Sequence, residues 1–213
     1  MVLLLVVPLG NTSFLGVPII QAFFGATGLP FLIIYDQLGT MLIFATYGSI
    51  ILAMYGKDGT LNLPAVARRV LFFPPTIALM VGFLARPWPY PEKLAQGLHH
   101  VSLSLVPLVM TAIGMQLRLR LPPRFVAPLG FGLAVKLCAA PLTTLLLCRL
   151  LSLTGTGVDV AVMEAGMPPM VTAGALAVVA GMEAELATAL VGVGIILSFG
   201  SLPLLFWLTQ SMP

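Results

Sequence analysis

Asp36, Lys136 and Glu164 are ionisable side chains that stand inside apolar stretches of this chain. A charged group at the centre of a bilayer costs on the order of 2.5–3.5 kcal/mol on insertion scales, so each of the three needs a partner or a task. Glu164 opens the run Glu164-Ala165-Gly166-Met167-Pro168-Pro169-Met170-Val171-Thr172. Two successive prolines interrupt any helix there, and Glu164 lies one turn before Pro168, on the same face as the interruption. A carboxyl group so placed is a candidate carrier of a coupling proton. An earlier run, Gly10-Asn11-Thr12-Ser13-Phe14-Leu15-Gly16-Val17-Pro18, combines a proline, flanking glycines and three polar side chains in the same way. A broken backbone leaves carbonyls without partners, and in hydrocarbon it survives only where protein or a wet cavity surrounds it. Asn11, Thr12 and Thr172 can add hydrogen bonds to a ligand there. For Asp36 two roles stay open, a proton or cation site and a carboxylate that reaches the interface or caps a helix. Lys136, near the middle of its stretch, either pairs with Glu164 or Asp36 or attracts an anionic substrate.

The elements that position these residues follow from composition. Of 213 residues, 59% are hydrophobic and 8% charged, with a mean hydropathy of +1.09. Soluble domains carry about a quarter charged residues, so lipid is the solvent for most of this surface. The expected fold is an all-α membrane protein. Seven stretches reach the roughly 20 apolar residues that a span requires: 1–25, 30–55, 67–86, 94–117, 125–150, 158–181 and 185–208. The connectors are short, so 1–213 reads as a single transmembrane domain. Alternate loops divide the basic residues unevenly. Lys57, Arg68, Arg69, Arg118, Arg120 and Arg124 fall on one side; Arg86, Lys93 and Arg149 fall on the other. The richer side is cytoplasmic, so the chain begins inside, and Trp88, Tyr90 and Trp207 suit an outer interfacial belt. The net charge of +3 comes from these loop clusters and does not predict nucleic-acid binding. The first and sixth stretches, both broken, then run in opposite directions, each followed by an unbroken one. Matched interruptions in oppositely oriented segments point to the binding site of an inverted-repeat transporter.

Other chemistry finds little support. There is no Gly-x-x-x-x-Gly-Lys loop, no His-Glu-x-x-His and no Gly-x-Ser-x-Gly elbow, which disfavours an ATP-driven pump, a zinc enzyme and a serine hydrolase. No cofactor and no metal site are expected, since His99 and His100 are adjacent and face apart on a helix. Cys138 and Cys148 are separated by about 15 Å of helical rise, too far for a disulfide. Ala173, Ala177 and Gly181 form a small-residue stripe suited to close helix packing. A leading apolar stretch without basic residues, Met1 to Gly10, does not read as a cleavable signal.

The two broken motifs, with Tyr35-Asp36-Gln37-Leu38-Gly39-Thr40 between them, resemble the auxin efflux carrier family, which includes malonate-type permeases and plant auxin exporters. The resemblance implies a ten-helix carrier of two inverted five-helix repeats, whose broken fourth and ninth helices cross at the substrate. This chain then resembles helices four to ten: a partial first repeat (1–55), a cytoplasmic loop (56–66) and a complete second repeat (67–213). Three preceding helices are expected in the complete carrier. It implies a non-enzymatic permease of a small organic anion such as a carboxylate, of the proton-linked kind rather than a sodium-coupled one, in a bacterial inner membrane, with a homodimer as a further expectation. Substrate contacts are expected from Asn11, Thr12, Pro18, Met167, Pro168, Pro169 and Thr172, and ion or proton coupling from Asp36, Glu164 and Lys136. The rival readings are a sodium-coupled carrier of the bile-acid type, a non-transporting membrane subunit, and a membrane enzyme, the last lacking any nucleophile–base pair.

Overall fold

The computed structural model of the chain describes residues 1–56, 72, 74–85, 87, 89, 91–116 and 123–211. Lys57, Arg68, Arg69, Arg86, Trp88, Tyr90, Arg118, Arg120 and nearly all of the expected loop 56–66 lie outside them.

The regular elements among the described residues are all helices, in the order α1 (Val2–Val6), α2 (Gly16–Phe24), α3 (Leu29–Tyr55), α4 (Pro74–Ala85), α5 (Glu92–Gln116), α6 (Pro123–Leu150), α7 (Thr156–Ala165), α8 (Val171–Val179) and α9 (Ala184–Ser211). By length and composition, α3, α6 and α9 can each cross a membrane. They run for 27, 28 and 28 residues, beyond the roughly 20 that hydrocarbon requires. Large apolar side chains such as Phe31, Leu38, Leu147, Leu204 and Trp207 stand exposed along them. In water that much exposed apolar surface would aggregate; in lipid it is solvated.

The first expected span consists of α1 and α2, the sixth of α7 and α8. The first interruption sits earlier than Pro18 predicts. α1 ends at Val6, Pro8 removes an amide donor, and no helix resumes until Gly16. Pro18 lies in the first turn of α2, where amides have no intrahelical partner and a missing N–H costs nothing. The second interruption lies where the paired prolines place it, over 166–170.

The core forms around these four half-helices. α1 packs on α8 and α9, while α7 touches α2, α3, α6 and α9. Val2, Leu5 and Val6 of α1, Val160 and Met163 of α7, and Leu190 and Leu202 of α9 are wholly buried. Ala173 and Ala177 bring α8 against this core. Gly181 does not extend the stripe, because it lies beyond the end of α8 in a turn with φ of 75°.

Exposed polar contacts stand at both ends of α9. Arg124 at the start of α6 meets Glu185 at 3.2 Å. At the opposite end, Gln210 donates to the Asp159 carboxylate at 3.3 Å. A cavity of about 200 Å³ lies at that second end, lined by Arg149, Thr154, Asp159, Thr209 and Gln210 among others. Cys138 and Cys148 are free thiols.

Candidate functional site

The two interruptions cross and bond to each other. The Asn11 amide donates to the Pro168 carbonyl at 2.8 Å, and the Met170 amide donates to the Leu9 carbonyl at 2.8 Å. Gly10 and Pro169 thus face each other as one antiparallel pair. Within the second interruption every amide is accounted for. Gly166 bonds back to Val162 and Met163, Met167 bonds to Glu164, and Met170 bonds across to Leu9. Pro168 and Pro169 have no N–H to satisfy. Consecutive prolines are therefore what allows extended backbone at this depth, since an unpaired amide in a dry interior costs several kcal/mol. The first amides of α8 point back toward the crossing without intrahelical partners. Those of α2 are occupied, because Leu15, Gly16 and Val17 bond to the carbonyls of Asn11 and Ser13.

Charged groups surround the crossing. The Lys136 ammonium, 5% exposed, donates to the Ala165 carbonyl at 3.0 Å. That carbonyl ends α7, so the cation also meets the negative end of a helix dipole. Lys136 therefore reaches the backbone beside Glu164, and no hydrogen bond joins it to the carboxylate of either Glu164 or Asp36. Asp36, 4% exposed, accepts from the hydroxyls of Thr12 at 2.5 Å and Ser13 at 2.6 Å and from the Gln37 amide at 2.7 Å. It thus ties α3 to the first interruption and reaches no interface. Both Asp36 and Lys136 sit in widened π-helical turns, over Tyr35–Thr40 and Val135–Ala139. Such turns rotate a side chain relative to its helix and recur at functional sites.

Two side chains at the crossing are buried without a partner. Both carboxyl oxygens of Glu164 and both side-chain polar atoms of Asn11 make no hydrogen bond among the described residues. Glu164 is completely inaccessible, with Lys136 from α6 and Asp36 and Tyr35 from α3 as its electrostatic neighbours. Buried polar groups in folded proteins are normally bonded, so this orphaned pair at the crossing stands out among the described residues.

A family model described as "Membrane transport protein" matches residues 1–208. The chain belongs to this family, the auxin efflux carriers. It is similar to an uncharacterized transporter of Methanothermobacter thermautotrophicus, 32% identical over 195 residues, which covers 91% of this chain and 63% of that protein. It is also similar to an uncharacterized transporter of Methanocaldococcus jannaschii, 28% identical over 176 residues, which covers 78% of this chain and 54% of that protein. The chain thus spans somewhat over half the length of these relatives.

Within this auxin efflux carrier chain, the crossing gathers most of the expected site. Asn11, Thr12, Met167, Pro168 and Pro169 are buried there, and Thr172 stands half-buried in the first turn of α8. Pro18 is buried in α2, past the interruption itself. Residues at or beside the crossing that the expected contact set left out are Pro8, Ser13, Gln37 and the glycines Gly10 and Gly16, of which Ser13 and the glycines already stood in the first motif. A β-carbon at Gly10 would stand 3.1 Å from the Lys136 ammonium, so this glycine admits the cation to the crossing. All five stand in or next to the motifs, but the neighbours of Ser13, Gly10 and Gly16, namely Asp36, Lys136 and Glu164, lie on other helices and leave no mark in local spacing.

Proposed function

We propose that the chain forms the substrate-binding and second-repeat portion of a secondary carrier for a small organic anion, such as a dicarboxylate, coupled to protons. The observation that supports this most is the crossing itself: two broken, bonded helices with one ammonium and an unpartnered buried carboxyl group beside them. Lys136 and the first amides of α8 attract the anion. Asn11 and Thr172 orient it, and Glu164 carries the proton. In this reading seven segments span the cytoplasmic membrane, with Arg124 and Glu185 at its inner side and Gln210 at its outer side. The cavity beside Arg149 is then an outer vestibule. Alternating access arises as one repeat rocks against the other about the crossing.

The orphaned oxygens of Asn11 and Glu164 also favour a second reading, in which sodium replaces the proton, because hard cations take oxygen ligands. Uptake of radiolabelled malonate into proteoliposomes separates the two. With an inward proton gradient and no sodium, the wild type is expected to accumulate malonate, while Glu164→Gln retains exchange and loses accumulation. Accumulation that follows a sodium gradient at equal pH would favour the second reading. No uptake of any dicarboxylate by folded protein would remove the first.

A further inference from the structure

The carboxyl group of Glu164 rests on a glycine of the other broken span. A β-carbon at Gly16 would stand 2.7 and 3.0 Å from its two oxygens and 3.2 Å from its carboxyl carbon. That is closer than non-bonded carbon and oxygen settle, so one side must move. Backbone conformation does not call for glycine here: Gly16 opens α2, and its φ is outside the left-handed region. Alanine is the better helix former. Local propensity thus favours a side chain at position 16, and the approach of Glu164 opposes it.

We propose that Gly16 is a positioning residue that seats the Glu164 carboxyl group directly on the start of α2. The two broken spans then touch at the titratable group itself. Any sliding of α2 along α7 changes what surrounds the carboxyl group, while Lys136 on α6 and Asp36 and Tyr35 on α3 face it from the other helices. Movement of one half-helix is thereby linked to the state of the carboxyl. This deepens the reading of Glu164 as the coupling group and rests on it for its meaning in transport, although the contact can be tested without a transported substrate.

The test is a cycle of variants of the full chain in detergent, with Gly130→Ala as control because a β-carbon there meets open space. Two properties are read: the midpoint of thermal unfolding, and the pH profile of labelling at residue 164 by dicyclohexylcarbodiimide, followed by peptide mass. Gly16→Ala is expected to lower the midpoint and displace the profile, whereas Gly130→Ala leaves the profile in place. In a Glu164→Asp background, which withdraws the carboxyl by one methylene, Gly16→Ala is expected to cost nothing. Additive effects, or one profile for wild type and Gly16→Ala, overturn the proposal. If Gly16→Ala does not fold, recovery of folded protein in Gly16→Ala/Glu164→Asp supports the seat, and failure of both overturns it. Neither readout requires dicarboxylate transport, so a failure of the carrier reading remains distinguishable.

Discussion

Replacing Lys136 with Met is expected to destabilise the protein by about 3–5 kcal/mol, the range for removing one member of a buried charged cluster. Methionine keeps the length and apolar stem of the side chain, so packing changes little. What is lost is the donor to the Ala165 carbonyl and the cation that faces Glu164. The freed carbonyl ends α7 at a depth without bulk water, and among the described residues the carboxyl group keeps Asp36 and Tyr35 as charged or titratable neighbours. Thermal unfolding in detergent should show a fall on the order of ten degrees. The double variant Lys136→Met/Glu164→Gln should recover part of that loss, because the carboxyl group that Lys136 faced is then a neutral amide. If the double variant is as unstable as the sum of the singles, Lys136 acts on the backbone alone. Transport should not return in the double variant, since both proposed ionic functions are gone.

Asp36→Ala is expected to be the other severe change, at about 3 kcal/mol. Three donors lose their acceptor at once: the Thr12 and Ser13 hydroxyls and the Gln37 amide. A buried donor left without a partner costs about 1–3 kcal/mol. Thr12 is 1% exposed and bears this in full, while Ser13 is less buried and better placed to recruit water. Asp36→Asn keeps an acceptor toward the two hydroxyls and should cost clearly less. The same ordering in thermal midpoints, wild type above Asn above Ala, would show that the carboxylate anchors the first interruption to α3. Equal loss in both variants would instead assign the effect to the charge.

Much of this arrangement was legible in the residues. Paired prolines at 168 and 169 announce a break because proline cannot donate, and the structure leaves 166–170 outside any helix. The first break was legible in kind but misplaced. Pro18 reads locally as a breaker, whereas a proline in the first turn of a helix leaves the helix intact, and only the fold shows that the turn starts at Gly16. The fate of Lys136 was not legible, because its partner is a backbone carbonyl 29 residues away, and every residue type carries one. The widened turns that hold Asp36 and Lys136 leave no compositional mark either. Gly16 illustrates the same limit: a glycine at the start of a helix is unremarkable until the carboxylate packed against it is seen.

In the proposed carrier, the crossing of the two interruptions is a substrate site reached alternately from both sides of the membrane. Its most direct test is the reactivity of a thiol introduced by Thr172→Cys in a Cys138→Ala/Cys148→Ala background. In proteoliposomes, membrane-impermeant methanethiosulfonate reagents should modify this thiol from either side, and malonate should slow both reactions. Modification from neither side by a protein that still takes up malonate would contradict the account and move the transport path away from the crossing.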